Sequence, residues 1–167
     1  MNHKLVVALL VTTFFYGAEG AEIKGKVLSY GIFGFQGEVQ KVKTPGTPSG
    51  SVGVINGVPV LMTATNRIPA KIGVQFGMFY EISNLRNPNG VVMVTKICRH
   101  PPITRPDGTV WTHFAVTETP RVRDGWVFTW TGFTFDHPYE LVPGKWEIEI
   151  EFKGKPICKQ EFTVVMK

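Results

Sequence analysis

Alternation of apolar and polar residues is the dominant pattern along the chain. The clearest case runs from Trp146 to Phe152, where apolar residues occupy the even positions and glutamates the odd ones. This period of two predicts a strand with one buried face and one wet face. Lys153-Gly154-Lys155 then predicts a turn into a second strand that ends near Val165, so we expect a C-terminal β-hairpin.

A second alternation predicts a central strand, because six apolar residues recur at period two: Ile72, Val74, Phe76, Met78, Tyr80 and Ile82. Gly73 and Gly77 within it indicate a bend or the close approach of a neighbouring backbone. Asn84–Gly90 is dense in turn formers and ends in Asn-Gly, which is typical of a hairpin turn. The pattern therefore predicts that Val91–Cys98 returns as the partner strand.

Further strands are predicted on both sides of this pair. Val110–Glu118 and Trp126–Phe133 are two of them, joined by a turn at Pro120–Gly125. In the second, one parity is expected to point inward and the other outward; the inward set is Trp126, Phe128 and Trp130, and the outward set is Val127, Thr129 and Thr131.

The N-terminal region is strand-like from Glu22 to Val42 but is interrupted by glycines at 31, 34 and 37. Their spacing does not match a nucleotide-binding glycine loop, and no helix follows, so a bent or bulged edge strand is predicted. Thr44–Gly53 is predicted to be a loop, and Val58–Thr65 another strand.

The predicted elements number seven to nine strands, with no amphipathic helix of three turns. Such a pattern favours an all-β fold, a single antiparallel immunoglobulin-like β-sandwich. Composition agrees, since the chain has 18 glycines, 12 prolines and 12% aromatic residues. It is also too short for two well-developed domains.

Residues 1–20 are predicted to be a cleaved secretory signal peptide. Lys4 supplies a basic start, Leu5–Tyr16 a stretch of twelve uncharged, mostly apolar residues, and Ala18 and Gly20 small residues before the cut. The alternative, an N-terminal membrane anchor, needs about 20 apolar residues. We therefore expect residues 21–167 to form one domain, periplasmic or secreted, that does not span a membrane.

Export makes a disulfide between Cys98 and Cys158 the first expectation for the two cysteines, and two buried thiols the alternative. The formal net charge is +5, but the basic residues are scattered. They indicate a solvated basic surface or weak attraction to an anionic envelope surface, and no nucleic-acid partner.

Four segments resemble a bacterial exported-protein family of uncharacterised function, known as a domain of unknown function. The segments are Ser29–Gly34, Arg67–Gly77, His100–Pro102 and Leu141–Trp146. The last is also common in generic immunoglobulin-like and fibronectin-like bacterial modules. The resemblance implies an exported immunoglobulin-like β-sandwich, and it implies no catalytic residues.

Catalytic patterns are weak. None of the serines after the leader lies in a Gly-x-Ser-x-Gly elbow. Glu147, Glu149 and Glu151 have the spacing of a carboxylate pair along one strand face, but such a row is more often a solvated surface. The alternative function is a metal-assisted hydrolytic enzyme, with His100, Asp136 and His137 meeting where loops cluster at one end of the sandwich.

Binding is the favoured class of function. Trp111 and His113 have the parity opposite to Phe114, so their side chains are expected to project outward, and Tyr139 is expected in a loop. Exposed aromatic rings stack on sugars or pack on peptides; alternatively, these rings close the ends of the core.

The sequence thus predicts an exported, non-catalytic binding or accessory module of the bacterial envelope. It needs no cofactor, its oligomeric state is open, and its partner is a protein or a glycan. A third alternative is strand addition to a partner through the glycine-rich N-terminal edge.

Overall fold

The computed structural model describes residues 22–44 and 46–166, with the backbone alone at 37–39 and 54–56. The predicted signal peptide lies outside these residues. Eleven strands fall within them, together with one 3-10 turn at Pro138–Glu140. The strands, in chain order, are β1 Lys24–Lys43, β2 Ser51–Thr63, β3 Arg67–Pro69, β4 Gln75–Ser83, β5 Gly90–Val91, β6 Val94–Thr104, β7 Val110–Glu118, β8 Arg121–Arg123, β9 Trp126–Thr134, β10 Gly144–Phe152 and β11 Lys155–Val165.

The strands form two sheets, so the all-β prediction is confirmed, although seven to nine strands was too low a number. The six-stranded sheet has the order β2-β1-β4-β9-β8-β5, and the five-stranded sheet has the order β3-β11-β10-β6-β7. All pairs are antiparallel except β11 with β3. No helix among residues 22–44 and 46–166 is long and apolar enough to cross a membrane.

The core lies between the inner faces of the two sheets. The predicted C-terminal hairpin is confirmed as β10 and β11, and Trp146, Ile148 and Ile150 of β10 are fully buried. Facing them, the alternating residues of β4 from Phe76 to Ile82 are also fully buried. The strand begins at Gln75 and not at Ile72, whose side chain is 45% exposed in the preceding turn.

Gly77 has the role that the sequence indicated. A Cβ there would collide with the carbonyl of Thr131 on β9, so a side chain would force β4 and β9 apart. The two strands pair along their whole length, from Gln75↔Thr134 to Ile82↔Val127.

Two predicted connections are wrong because a turn signal marks a change of direction, not the sheet that the chain enters next. The partner predicted for the central strand is β6, which lies in the other sheet between β10 and β7. Likewise β7 and β9 are in different sheets, and the segment between them contains the short strand β8.

The predicted orientation of β9 is inverted. Val127 and Thr131 are buried in the sandwich, whereas Trp126 is 50% exposed and Phe128 is 68% exposed. Asp124 and Gly125 both have positive φ, 51° and 79°, and form a tight turn that pairs Arg123 with Trp126. This register places Val127 opposite the buried Ile82, which turns the other parity outward.

The glycine-rich segment is a bulged strand, as predicted, because its register shifts between Val27 and Ser29 and again between Ile32 and Phe33. Only residues 32–33 have a paired strand on both sides, so most of β1 is an edge on one side or the other. Residues 24–33 pair with β4, and residues 32–43 pair with β2. Beyond residue 33 the β1–β2 hairpin continues past the end of β4, and we call residues 34–44 and 46–60 the arm. At its tip Thr47 is buried, and Lys41 forms an ion pair with Asp136 at 3.2 Å.

The predicted disulfide is not formed, because Cys98 and Cys158 are both free thiols. Cys98 pairs with Ile148 from one side of β10, and Cys158 pairs with Ile150 from the other side. Two strand spacings, roughly 9.5 Å, therefore separate the cysteines, beyond the roughly 7 Å limit for Cα atoms that a disulfide joins. Burial raises the pKa of each thiol to about 12.

Candidate functional site

A cavity of about 610 Å³ opens between the arm and the body of the sandwich. One wall is the contiguous segment 128–134 of β9, and the opposite wall is the end of β7 with the next residue, 116–119. The arm forms the roof with residues that include Phe35, Ser51 and Pro59. We call this space the arm cavity. Its volume lies in the range of ordinary ligand sites, about 300–1,000 Å³.

The cavity follows an edge of the six-stranded sheet. Strand β8 pairs with β9 only at Trp126 and Val127. Beyond Val127, no strand in the described part of the chain pairs with that side of β9.

The polar part of the cavity centres on a buried ion pair. Lys96 of β6 is 8% exposed, and its Nζ lies 3.4 Å from Oε1 of Glu118 on β7. The same carboxylate oxygen accepts a hydrogen bond of 2.8 Å from the Thr131 hydroxyl. Lys96 Nζ also donates to the carbonyl of Gly132 at 3.2 Å. The pair is thus tied to β9 through Thr131 and Gly132.

The apolar part of the cavity is a cluster of aromatic rings on the outer face of the six-stranded sheet. Trp130 packs edge-on against Phe33 at 5.7 Å and against Phe35 at 4.9 Å between ring centroids. Phe79 stacks on Phe128 at 5.6 Å and also contacts Phe33. We call these five residues the outer aromatic cluster. The Trp130 indole nitrogen is buried in this cluster, and no described residue accepts a hydrogen bond from it.

The three predicted binding residues do not form one site. Trp111 is partly buried and packs against the core, so its predicted outward projection is wrong. The β6–β7 register shifts between Arg99 and Ile103, and this irregularity sets Trp111 opposite the buried Ile103. His113 is exposed, as the parity indicated, and pairs with Arg99.

Tyr139 lies in the 3-10 turn and stacks on His137 at 5.0 Å between ring centroids. It is partly buried, and it packs against the core rather than on the arm cavity.

The alternative metal cluster does not assemble. His100 is 6% exposed, lies against the Trp146 ring at 4.9 Å, and has Nδ1 2.8 Å from the Pro101 carbonyl oxygen. Burial lowers its pKa, so the neutral imidazole is favoured. Asp136 is engaged by Lys41. Within residues 22–44 and 46–166, no group of three His, Cys, Asp or Glu side chains could hold a metal ion.

The turn that carries Asp136 and His137 has a structural carboxylate that the sequence did not reveal. Glu140 is fully buried, and its Oε2 accepts hydrogen bonds from the backbone N–H groups of Asp136 at 2.7 Å and His137 at 2.8 Å. Burial raises the pKa of this carboxyl, although the two N–H donors oppose the rise. Glu140 therefore orders the loop through its Oε2 atom.

The predicted row of glutamates forms a network of ion pairs. Arg99 Nη1 lies 2.9 Å from Glu147 and 3.2 Å from Glu149, and Lys159 lies 3.2 Å from Glu147. These contacts neutralise the carboxylates, which is the arrangement of a structural surface and not of a glycosidase acid–base pair.

Sequence reasoning missed the arm cavity because its walls come from three distant parts of the chain. One local signal existed. Val94, Lys96 and Cys98 share a parity, and all three are buried, so a lysine occupies an inward position in an otherwise apolar set. A buried lysine requires a partner, and here the partner is Glu118.

Residues 22–164 match the model of a family described as a domain of unknown function (DUF3859). Among curated proteins, no relative matches the chain. An immunoglobulin-like protein from Pseudomonas aeruginosa has a similar structure, with a TM-score of 0.60 and 23% identity over 88% of this chain and 99% of that one. The predicted immunoglobulin-like sandwich is thereby confirmed.

A DNA glycosylase from Pseudomonas fluorescens is similar over 59% of this chain and 27% of its own, with 9% identity and a TM-score of 0.42. A likeness this low carries no information on function.

Proposed function

The chain belongs to this family of domains of unknown function, and from that premise we propose that it is an exported, non-catalytic binding module whose ligand occupies the arm cavity. The observation that carries the proposal is the cavity itself. Aromatic rings line one side of it and an ordered ion pair the other, and this combination of apolar surface with a few placed polar groups is typical of binding sites.

The ionisable groups of the cavity support binding rather than catalysis. Lys96 and Glu118 bond to each other, and their remaining contacts go to Thr131 and Gly132. The rival function, a metal-assisted hydrolase, would need a set of ligands that the described residues do not bring together.

Export rests on the sequence of the leader, and the compartment is proposed as the periplasm or the exterior of the cell. Cell fractionation followed by N-terminal sequencing tests this directly. We expect the protein outside the cytoplasm with Ala21 as its first residue. Uncut protein in the cytoplasm would contradict the proposal.

Ligand binding is tested with protein labelled with 5-fluorotryptophan, in which the Trp130 signal is assigned from Trp130→Phe. The probe is a cell-envelope extract separated into a glycan fraction and a peptide fraction. We expect one fraction to shift the Trp130 fluorine signal. The absence of a shift with either fraction would contradict the proposal.

A matched pair of variants locates the binding. Val116 lines the arm cavity, whereas its neighbour Ala115 is exposed and does not. Val116→Trp should fill the cavity and abolish the shift, whereas Ala115→Trp should preserve it. Thermal unfolding of both variants shows that each is folded under the conditions of the measurement.

A further inference from the structure

Backbone groups that no described strand pairs with distinguish the β9 wall of the arm cavity from an ordinary pocket wall. Along an antiparallel strand, successive residues direct their N–H and C=O groups to opposite edges. The carbonyl of Thr131 lies over Gly77 of β4, whereas the carbonyl of Gly132 faces away from β4 and accepts from Lys96. Trp130 and Thr134 share the parity of Gly132, so they too direct their backbone groups into the cavity.

The arrangement has the dimensions of a missing strand. The cavity is bordered by β9 without interruption from residue 128 to residue 134. At about 3.3 Å per residue, this wall extends roughly 20 Å, the length of a short strand. The arm roofs the far side, so an inserted chain would lie beside β9 rather than on the face of the sheet.

We propose that the ligand of the arm cavity is an extended segment of another polypeptide, which adds to β9 as an antiparallel or parallel strand. The inference rests on the proposed binding function and specifies its ligand. No strand pairs with the N–H and C=O groups on this edge of β9, although the Gly132 carbonyl accepts a hydrogen bond from Lys96. These groups recur at a two-residue spacing, and a polypeptide backbone carries matching groups at the same spacing. A sugar or a small aromatic ligand would satisfy only one or two of them.

The side chains of the cavity indicate the sequence that such a segment would have. Its alternate residues would face the rings of Phe128 and Trp130 on one side, and the Thr131 hydroxyl with the ion pair on the other. The first set is expected to be apolar and the second small or polar. The charged lining residues pair as Lys96 with Glu118 and Lys41 with Asp136, so an uncharged segment is favoured.

The β2 edge of the same sheet is unsuited to this role. Strand β2 is the opposite edge, and it contains Pro59. Hydrogen-bonded and non-hydrogen-bonded residue pairs alternate along the arm, and the bond from Thr44 N–H to Gly50 O fixes which pairs are bonded. Phe35 and Pro59 form a non-hydrogen-bonded pair, so their backbone groups point away from each other. The missing N–H of Pro59 therefore falls on the free edge, where it prevents continuous pairing.

The experiment begins with a phage-displayed library of random dodecapeptides, selected on the wild-type protein and counter-selected on Val116→Trp. The enriched peptides are synthesised and titrated by calorimetry against Thr134→Pro and Thr134→Ala. Both variants lose the threonine side chain, but only proline removes the backbone donor from the cavity edge. This donor does not serve the β4–β9 ladder, so Thr134→Pro is compatible with the strand.

Strand addition predicts that Thr134→Ala binds the enriched peptides as the wild type does and that Thr134→Pro binds them at least about tenfold more weakly. N-methylation of alternate residues of the peptide should abolish binding in one register and spare it in the other. Equal affinity of the two variants, or insensitivity to N-methylation, would overturn the inference.

Failure of the inference is separable from failure of the proposed function. If no peptide is enriched but a glycan fraction still shifts the Trp130 fluorine signal, the cavity binds a ligand that is not a strand, and the inference is wrong while the binding function stands. Self-association of the protein that Thr134→Pro abolishes would also overturn it, because the occupant would then be a second copy of this chain.

Discussion

Ion pairs cover the outer face of the five-stranded sheet, whereas aromatic rings cover the outer face of the six-stranded sheet. On the first, Arg99 bridges Glu147 and Glu149, and Lys145 and Lys159 reach Glu161. On the second, Phe33 packs in T-shaped geometry against Phe79 and against Trp130, and Phe33 is only 4% exposed. The outer face of the five-stranded sheet is thus a surface of paired charges. The outer face of the six-stranded sheet holds a second apolar cluster outside the main core.

The difference indicates that the ion-paired face is an ordinary surface, whereas the aromatic face borders the candidate binding site. Exposed salt bridges each contribute little to stability, and here they pair the carboxylates of the strand face with basic side chains. The rings of the outer aromatic cluster instead bury apolar area under the arm, yet Phe128 stays 68% exposed where the arm does not cover it. Exposed rings beside a cavity mark the side on which a partner would bind.

The largest loss of stability is expected for a residue of the main core. Trp146→Ala removes a fully buried indole and should lower the free energy of unfolding by about 3–5 kcal/mol. Trp126→Ala, at a tryptophan that is 50% exposed, is the matched control and should change it by about 0.5 kcal/mol or less. Chemical denaturation measures both, and equal losses would contradict the orientation of β9.

The second prediction tests whether the outer aromatic cluster contributes to stability by burying apolar surface. Phe33→Ala should cost about 3 kcal/mol, because its ring is buried although it lies outside the main core. Phe128→Ala, on the same face but mostly exposed, should cost less than about 1 kcal/mol. A loss below about 1 kcal/mol for Phe33→Ala would mean that the arm does not cover the ring.

The third prediction concerns His100 of β6, which is buried although its neighbour Arg99 is exposed. Burial lowers the pKa of His100 in the folded protein. In the unfolded chain its pKa is about 6.5, so below that pH the unfolded state binds a proton that the native state does not. His100 therefore reduces stability as the pH falls through about 6.5.

His100→Phe removes this proton uptake. We expect its free energy of unfolding to fall less than that of the wild type between about pH 7.5 and pH 5.5. Denaturant titrations at the two pH values measure the difference. Parallel losses in the two proteins would show that the imidazole is accessible to protons in the native state.

The smallest effect is expected on the ion-paired face. Lys159 is 56% exposed and pairs with Glu147 at 3.2 Å. Lys159→Gln should lower the free energy of unfolding by at most about 1 kcal/mol, and the loss should shrink further in about 0.5 M salt. A loss above about 2 kcal/mol that salt leaves unchanged would mean that this face is a structural core in its own right.

Alternation in the sequence predicted which side of a strand is buried only where every second residue is polar. In β10 the glutamates identify the wet side, so both the strand and its orientation could be predicted. In β9 both parities are apolar or neutral, and pairing with β4 decides the orientation, which sequence alone does not contain. In β7, Trp111 pairs with the buried Ile103 beyond an irregularity in β6 and packs against the core, which the alternation of β7 alone does not indicate.

The site was harder to predict than the fold for a related reason. The arm cavity depends on which strands are neighbours, on where β8 ends, and on how far the β1–β2 hairpin extends. The pairing of Cys98 with Cys158 failed on the same ground, because β10 lies between them. Lys96 at an inward position was the one residue whose local context indicated something unusual.

Amide hydrogen exchange, resolved residue by residue along β9 and β10, tests the central claim most directly. Strand β10 pairs on both edges from Glu147 to Glu151, so its amides should be uniformly protected. Along β9 we predict alternation, with protected amides at Thr129, Thr131 and Phe133 and fast exchange at Trp130, Gly132 and Thr134. Uniform protection of β9 would show that its edge is already paired, and the arm cavity would then offer no place for an added strand.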